Sequence, residues 1–182
     1  MRIIGIDPGL RHTGWGIVEF KNNKLSYIGD GRISPSTLMP DGERLFFIKY
    51  QLAEIISKYV PNKSAIEQIF VGFGAGSSLK LGMARGVSMS VLAEARLVIS
   101  EIPPKLVKKT ITGYGSASKQ QIKSMIEKLL HIIPKNEDSA DALAIAISAH
   151  HIDDKNATNL QGANNGLDVA IAKALLKEKN KK

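Results

Sequence analysis

Cysteine is absent from all 182 residues. That excludes a disulfide framework and any thiol nucleophile, and it fits a reducing compartment. No apolar run approaches the roughly 20 residues of a membrane span. Met1-Arg2 leads straight into an apolar strand instead of a signal peptide. The expectation is a cytoplasmic protein with no membrane partner. There is no internal repeat. Acidic residues are outnumbered, 17 against 25 Lys and Arg, for a net charge of +8. Such an excess favours a polyanionic partner, although many small basic proteins bind none. The length suits one domain with a sizeable core.

What is present is organised around residues 1–16, MRIIGIDPGLRHTGWG. Arg2 to Ile6 reads as a buried strand, and Asp7 follows at once, before a Pro-Gly turn. A carboxylate there points into a crevice and needs a metal, a cation or a hydrogen-bond donor. The two readings of Asp7 are metal ligand and turn cap. A second strand starts at Thr13, and a third spans Leu25 to Ile33 with an irregularity at Gly29-Asp30-Gly31, which together suggest an antiparallel meander. The first helix, Asp41 to Tyr59, buries Leu45, Ile48, Leu52, Ile55, Ile56 and Tyr59.

Lys63 to Val71 is a fourth strand carrying Glu67 inside an apolar run. Either Glu67 belongs to a site or it faces outward near the strand end. The loop Phe70 to Gly76 is glycine-rich but lacks the GK[ST] ending of a P-loop. The second helix runs from Ser77 or Ser78 to Arg96, with Leu79, Met83, Val87 and Val91 as its stripe. Gly82 and Gly86 lie four apart there, which suits close approach of another backbone, in a core or at a dimer seam. Leu97 to Ile102 is a fifth strand, and a short helix follows through Ile111. It carries Lys105, Lys108 and Lys109 on one face, as a solvated surface or a phosphate-binding one. A third long helix, Lys119 to Leu130, turns Ile122, Met125, Ile126 and Leu129 inward and brings Lys119 and Lys123. The last core helix runs from Asn136 or Asp138 to about His151. Asp138 and Asp141 share a face of its first turn, as helix-dipole partners or as ligands. Leu143 and Ile147 with Ala140 and Ala144 form its apolar stripe. From Ile152 the composition turns polar and reads as a linker. A short helix at Leu167 to Leu176 and a basic tail follow.

Asp7, Glu67, Asp138 and Asp141 thus stand out together. They converge if strands one and four pair in parallel within a mixed five-stranded α/β sheet flanked by helices. An all-oxygen set suits Mg²⁺ or Mn²⁺ instead of zinc. Two such ions about 3.5–4 Å apart are a device for in-line phosphodiester displacement. A basic surface around an acidic pocket is what a metal-dependent nuclease needs.

The segments IGIDPGLRHTGWG, AIEQIF, LKLGMARG, VKKTITGYGSASKQQI and DSADALAIAISAHH, in that order, resemble the RuvC family of Holliday-junction resolvases over about residues 1–152. The resemblance implies a ribonuclease-H-like domain at 1–152, with a linker and basic tail at 153–182. It places metal-binding catalytic acids on Asp7, Glu67, Asp138 and Asp141, the last a histidine in some members. Lys108 and Lys119 match basic residues near the scissile phosphate. Phe70 matches an aromatic that stacks on opened bases. Arg11, Lys80, Arg85, Lys105, Lys109 and Lys123 are further candidates for DNA contact. LKLGMARG matches the dimer-forming helix. The implied activity is an endonuclease using two Mg²⁺ or Mn²⁺ per site. It nicks a four-way junction symmetrically, in recombination and repair, beside the RuvA–RuvB branch-migration complex. Two departures are Gly74, where asparagine is usual, and Trp15, where tyrosine is commoner.

Two other classes compete. An actin-like ATPase also begins with a strand ending in Asp-Pro-Gly, but needs a longer chain with a second phosphate loop. A junction-binding protein without catalysis is favoured only by a missing carboxylate, and none is missing.

Overall fold

The computed structural model of the chain describes residues 1–22, 24–69 and 75–162. Its elements are β1 (Arg2–Asp7), β2 (Thr13–Lys21), β3 (Lys24–Ile33), α1 (Asp41–Tyr59), β4 (Lys63–Glu67), α2 (Ala75–Glu94), β5 (Val98–Ile102), α3 (Pro104–Thr112), α4 (Lys119–Leu130) and α5 (Glu137–Gly162). The sheet order is β3-β2-β1-β4-β5. The meander β1-β2-β3 is antiparallel, and β4 and β5 add in parallel to β1's free side.

Strand period two sorts the side chains into two faces. Ile4 and Ile6 of β1, Trp15 and Ile17 of β2 and Ile66 of β4 face one way. There they pack with Ile48, Leu52 and Ile56 of α1 and with Ala84, Val91 and Leu92 of α2. The alternate positions, Ile3, Gly5 and Asp7 of β1, face the other way. Parallel register sets Gly5 beside Ala65 and Ile6 beside Ile66. Glu67, one residue on, therefore falls on Asp7's face at the carboxyl end of the neighbouring strand. Antiparallel register sets Asp7 opposite Gly14, Gly14 opposite Arg32 and Gly16 opposite Asp30, so these residues share the same face.

That face is covered by α5, which rests on it backbone to backbone. A Cβ on Gly5 would lie 2.1 Å from the Ala142 carbonyl oxygen, and one on Gly14 would lie 2.1 Å from that of Asp138. One on Gly16 would lie 2.6 Å from the Leu143 nitrogen. Glycine is required at these positions by space, since any side chain would lift the helix. Small residues on the helix answer them: Ala140, Ala142, Ala144, Ala146 and Ala149 are all buried.

Several expectations shift. The stripe expected on α5 is one-sided, whereas its middle is buried all round, Ile145 included. No glycine or proline occurs between Asp138 and Gln161. Accordingly α5 continues to Gly162, where the composition suggests a linker from Ile152. On α2 the buried face is Ala84, Ser88, Val91 and Leu92, while Leu79 is 65% exposed. On α4 Leu130 is buried and Leu129 is not. Strand β4 stops at Glu67 instead of Val71. By packing, residues Met1–Ala149 and His150–Lys182 are two compact units. The candidate helix at 167–176 lies outside the described residues.

Candidate active site

The ends of β1 and β4, the first turn of α5 and the starts of α3 and α4 meet at one cleft of about 160 Å³. Asp7, Glu67, Asp141, Lys108 and Lys119 line it, with Pro104, Val107, Ile122 and Ile145 as apolar walls. Each polar group is delivered by local chemistry. Asp7 and Glu67 arrive by strand register. Asp138 and Asp141 arrive because α5 sits flush on the glycines, with the Asp138 backbone directly over Gly14, Asp7's partner across the ladder. Lys108 comes from α3, which opens on Pro104 and closes at Gly113 with φ 83°, a left-handed conformation that glycine adopts freely. Lys119 is the first residue of α4, fixed by a capping box. Gln121 N–H donates to Ser118 Oγ at 3.2 Å, and Ser118 N–H donates to Gln121 Oε1 at 2.8 Å.

Two of the four carboxylates are ion-paired. Asp141 meets Lys119 Nζ at 3.1 Å, and Asp138 meets Arg32 Nη1 at 3.3 Å. Asp7 and Glu67 accept no hydrogen bond among the described residues. In these side-chain positions no three His, Asp or Glu residues among the described ones close into a ready metal cluster. Asp138, turned toward Arg32, is the member farthest from convergence.

Electrostatics mark Asp7 as the most strained member. Burial first, then the charges of Glu67 and Asp141, push its carboxyl up to about 7, against a smaller opposing pull from Lys119. Burial and Asp141 likewise raise Glu67, opposed by Lys119 and Lys108. Asp141 is raised by burial despite its lysine partner. Lys119 is raised in turn by Asp141 and stays protonated. A crowded, all-oxygen, partly desolvated acid set of this kind fits a hard divalent cation, which would relieve the repulsion directly.

This strain has a measurable consequence. Asp7 titrates near 3.8 when free and near 7 when folded. Between about pH 4 and 7 the folded chain therefore holds a proton that the unfolded chain has lost, and stability falls as pH rises through that window. The limiting size is on the order of 4 kcal/mol, shared among the coupled acids. Thermal melts in chelator are expected to drop from pH 5 to pH 8, and Mg²⁺ at pH 8 to restore the loss. A melting temperature that is flat or rises over this range would contradict the crowding.

Comparison with known proteins gives the site its context. The family model for crossover junction endodeoxyribonuclease RuvC matches residues 3–150. The chain belongs to the RuvC family. Crossover junction endodeoxyribonuclease RuvC of Rhodopseudomonas palustris (strain BisA53) is 48% identical over 153 residues, covering 83% of this chain and 88% of that protein. The Azorhizobium caulinodans protein of the same name is also 48% identical, over 90% of its length. Thermus thermophilus RuvC, solved in complex with a Holliday junction substrate, superimposes with a TM-score of 0.76 at 30% identity, covering 81% of this chain and 92% of that one. The yeast mitochondrial resolvase Ydc2, at 15% identity and a TM-score of 0.59, shares the fold. All four carboxylates lie inside the RuvC match, and the ribonuclease-H-like sheet is the one expected. Family membership implies dependence on a divalent metal.

The remaining candidates scatter. Arg11, Lys105 and Lys109 are exposed, and Lys123 lines a polar groove with Lys119 between α4 and α5. Lys80 pairs with Asp41 at 3.3 Å, at the start of α1. Arg85 departs from the expectation of a DNA contact. Its side chain is only 15% exposed, is ion-paired with Glu101, and donates through Nε to the Glu67 carbonyl at 3.3 Å. It braces the end of β4 that carries Glu67. Phe70 and Gly74 lie outside the described residues. Sequence reasoning missed Arg32, an exposed arginine on the α5-facing side of β3 that reaches Asp138, and the buried pair Asp30 and Ser139.

Among the described residues no helix is long and apolar enough to cross a membrane.

Proposed function

We propose that this RuvC-family endonuclease resolves four-way DNA junctions by paired, symmetric nicks, with Asp7, Glu67, Asp138 and Asp141 as its metal-binding acids. The observation that carries the reading is the cleft itself, where Asp7, Glu67 and Asp141 crowd together with Lys108 and Lys119. Held by the four acids, two Mg²⁺ or Mn²⁺ ions would supply Lewis acidity for in-line displacement at phosphorus. Lys119, kept protonated and oriented by Asp141, offers an ammonium to charge developing on the scissile phosphate, and Lys108 offers a second from α3. Arg11, Lys105, Lys109 and Lys123 supply sequence-independent phosphate contacts.

The test is cleavage of a labelled four-way junction, a linear duplex and a single strand, with and without Mg²⁺. Magnesium-dependent cutting confined to the junction, in two opposed strands, is the expected result. Equal cutting of linear duplex would refute junction specificity.

The working unit in this reading is a homodimer, since two opposed nicks need two sites related by a two-fold axis, and it acts beside the RuvA–RuvB complex. Gly82 and Gly86 support the dimer. A Cβ on either would meet nothing within 4 Å among the described residues, so none of those requires glycine there, at about 1 kcal/mol each against alanine. They share α2's outward side with the exposed Leu79 and Ser90. Gly86→Leu is expected to give a folded monomer that binds the junction weakly and loses paired incision. Sedimentation at micromolar concentration checks it, and a wild type already monomeric alone would remove the basis.

A further inference from the structure

Asp30 on β3 is 1% exposed, is not among the residues lining the cleft, and belongs to no part of the chemistry just described. Its carboxylate is nonetheless fully engaged. Oδ1 accepts from the Tyr27 hydroxyl at 2.7 Å. Oδ2 accepts from the Lys135 backbone N–H at 2.8 Å and from Ser139 Oγ at 2.6 Å. Burial and the bond to Asp30 push the Tyr27 phenol up, so it remains a donor. A buried carboxylate of this kind is tolerated only when directional donors replace water.

The donors from the far side come from one place, the turn that opens α5. Ser139 N–H also donates to Asn136 Oδ1 at 2.9 Å, and Asn136 N–H donates to Ser139 Oγ at 3.2 Å. This reciprocal pair shapes the turn, and Asp30 ties that turn to the sheet across more than a hundred residues of chain. Ser139 stands between Asp138 and Asp141. Two residues along β3, on the same face, Arg32 clasps Asp138 itself. The glycine bed sets how high α5 lies above the sheet, and a flat bed leaves rotation about the helix axis and sliding along it open. The Asp30 bonds close those freedoms at the end where the ligands are.

We propose that Asp30 is a positioning residue which, through Ser139 and the Lys135 amide, holds the first turn of α5 so that Asp138 and Asp141 converge with Asp7 and Glu67 on a divalent cation. The inference rests on the metal-site reading above. Groups that orient ligands from behind contribute about 10- to 100-fold to metal affinity, and Asp30 acts one bond further back, at the lower end of that range. Asparagine is the conservative replacement. With its amide nitrogen turned to the Tyr27 oxygen, its carbonyl still accepts from Lys135 and Ser139.

The experiment measures Mn²⁺ binding by electron paramagnetic resonance on the full-length, DNA-free protein. A wild type that takes up no Mn²⁺ would overturn the metal-site reading itself. With wild-type binding in place, Asp30→Ala is expected to weaken Mn²⁺ about tenfold, Ser139→Ala about threefold, and Asp30→Asn less than about twofold. Junction affinity in chelator should be unchanged. Cleavage by Asp30→Ala should recover toward wild type as Mn²⁺ is raised, which a general loss of fold would not allow. Wild-type Mn²⁺ affinity in Asp30→Ala overturns the proposal, as does an Asp30→Asn variant as weak as Asp30→Ala. If Asp30→Ala does not fold, Ser139→Ala decides, and unaltered Mn²⁺ affinity in that variant overturns it.

Discussion

Asp7→Asn is expected to lower junction cleavage by at least about a thousandfold while leaving junction affinity within about twofold of wild type. On the proposed metal site the substitution would take one oxygen ligand and one negative charge out of the cleft, where a divalent cation would supply several kcal/mol of charge stabilisation. The retained affinity follows if, as proposed, binding rests on Arg11, Lys105, Lys109 and Lys123, none of which pairs with Asp7. The same substitution should stabilise the metal-free protein. Asp7 is half-buried beside Glu67 and Asp141, and its carboxyl is pushed up to about 7. At pH 8, above that value, the folded chain must hold the carboxylate ionised against burial and its acidic neighbours, and the asparagine amide removes that cost. At roughly 2–4 °C per kcal/mol for a chain of this size, the gain in chelator is several degrees, and the fall in stability between pH 5 and pH 8 should flatten with it. Three measurements on one variant therefore move in different directions: activity down, affinity level, metal-free stability up. An Asp7→Asn protein that cuts at the wild-type rate would remove Asp7 from the site. One that melts lower than wild type at pH 8 would show Asp7 to be structural.

Much of this site is legible in the sequence because its parts are local. A carboxylate directly after an apolar strand, another inside a strand that follows a helix, and two at i, i+3 in a first turn each announce themselves without tertiary information. Parallel pairing of the first and fourth strands brings Asp7 and Glu67 together by register, while Asp138 and Asp141 reach them only through the seating of α5 on Gly5, Gly14 and Gly16. The failures share a different cause. Residues four apart on a helix advance about 40° per step, so the series Leu79, Met83, Val87, Val91 winds through about 120°. Its first member points to solvent while its last is in the core. Arg85 carries a charge that suits DNA, but its location is decided by Glu101 on β5, which local sequence does not reveal. Asp30 reads as part of a strand irregularity because its partners on α5 lie more than a hundred residues away. Polar residues that position others through long-range bonds leave no periodic trace.

Gly9 of IGIDPGLRHTGWG serves its own turn, while Gly5, Gly14 and Gly16 lie under α5. Gly14→Ala is expected to destabilise the protein by about 3 kcal/mol or more and to reduce cleavage at least about tenfold in whatever fraction stays folded. A methyl group there would lie 2.1 Å from the Asp138 carbonyl oxygen and 2.6 Å from its carbonyl carbon. Ordinary contact for a methyl carbon lies at 3.4–4 Å, and both partners are backbone, one in a central strand and one in a helix buried all round. Overpacking of a close-packed interior costs about 1–3 kcal/mol when side chains can yield. Here none can, so either the strand or the helix must move by about an ångström. Moving the helix carries Asp138 and Asp141 away from Asp7 and Glu67, and misplacement on that scale is expensive in catalysis. Gly42→Ala is the control. It is the second residue of α1, where an added methyl would meet nothing within 4 Å among the described residues, and should melt at or slightly above wild type. Thermal unfolding of the two variants, together with their Mg²⁺-dependent junction cleavage, separates the cases. A Gly14→Ala protein with wild-type melting temperature and activity would mean that α5 does not lie on the sheet as closely as its glycines require. The placement of both helical carboxylates over Asp7 would fall with it.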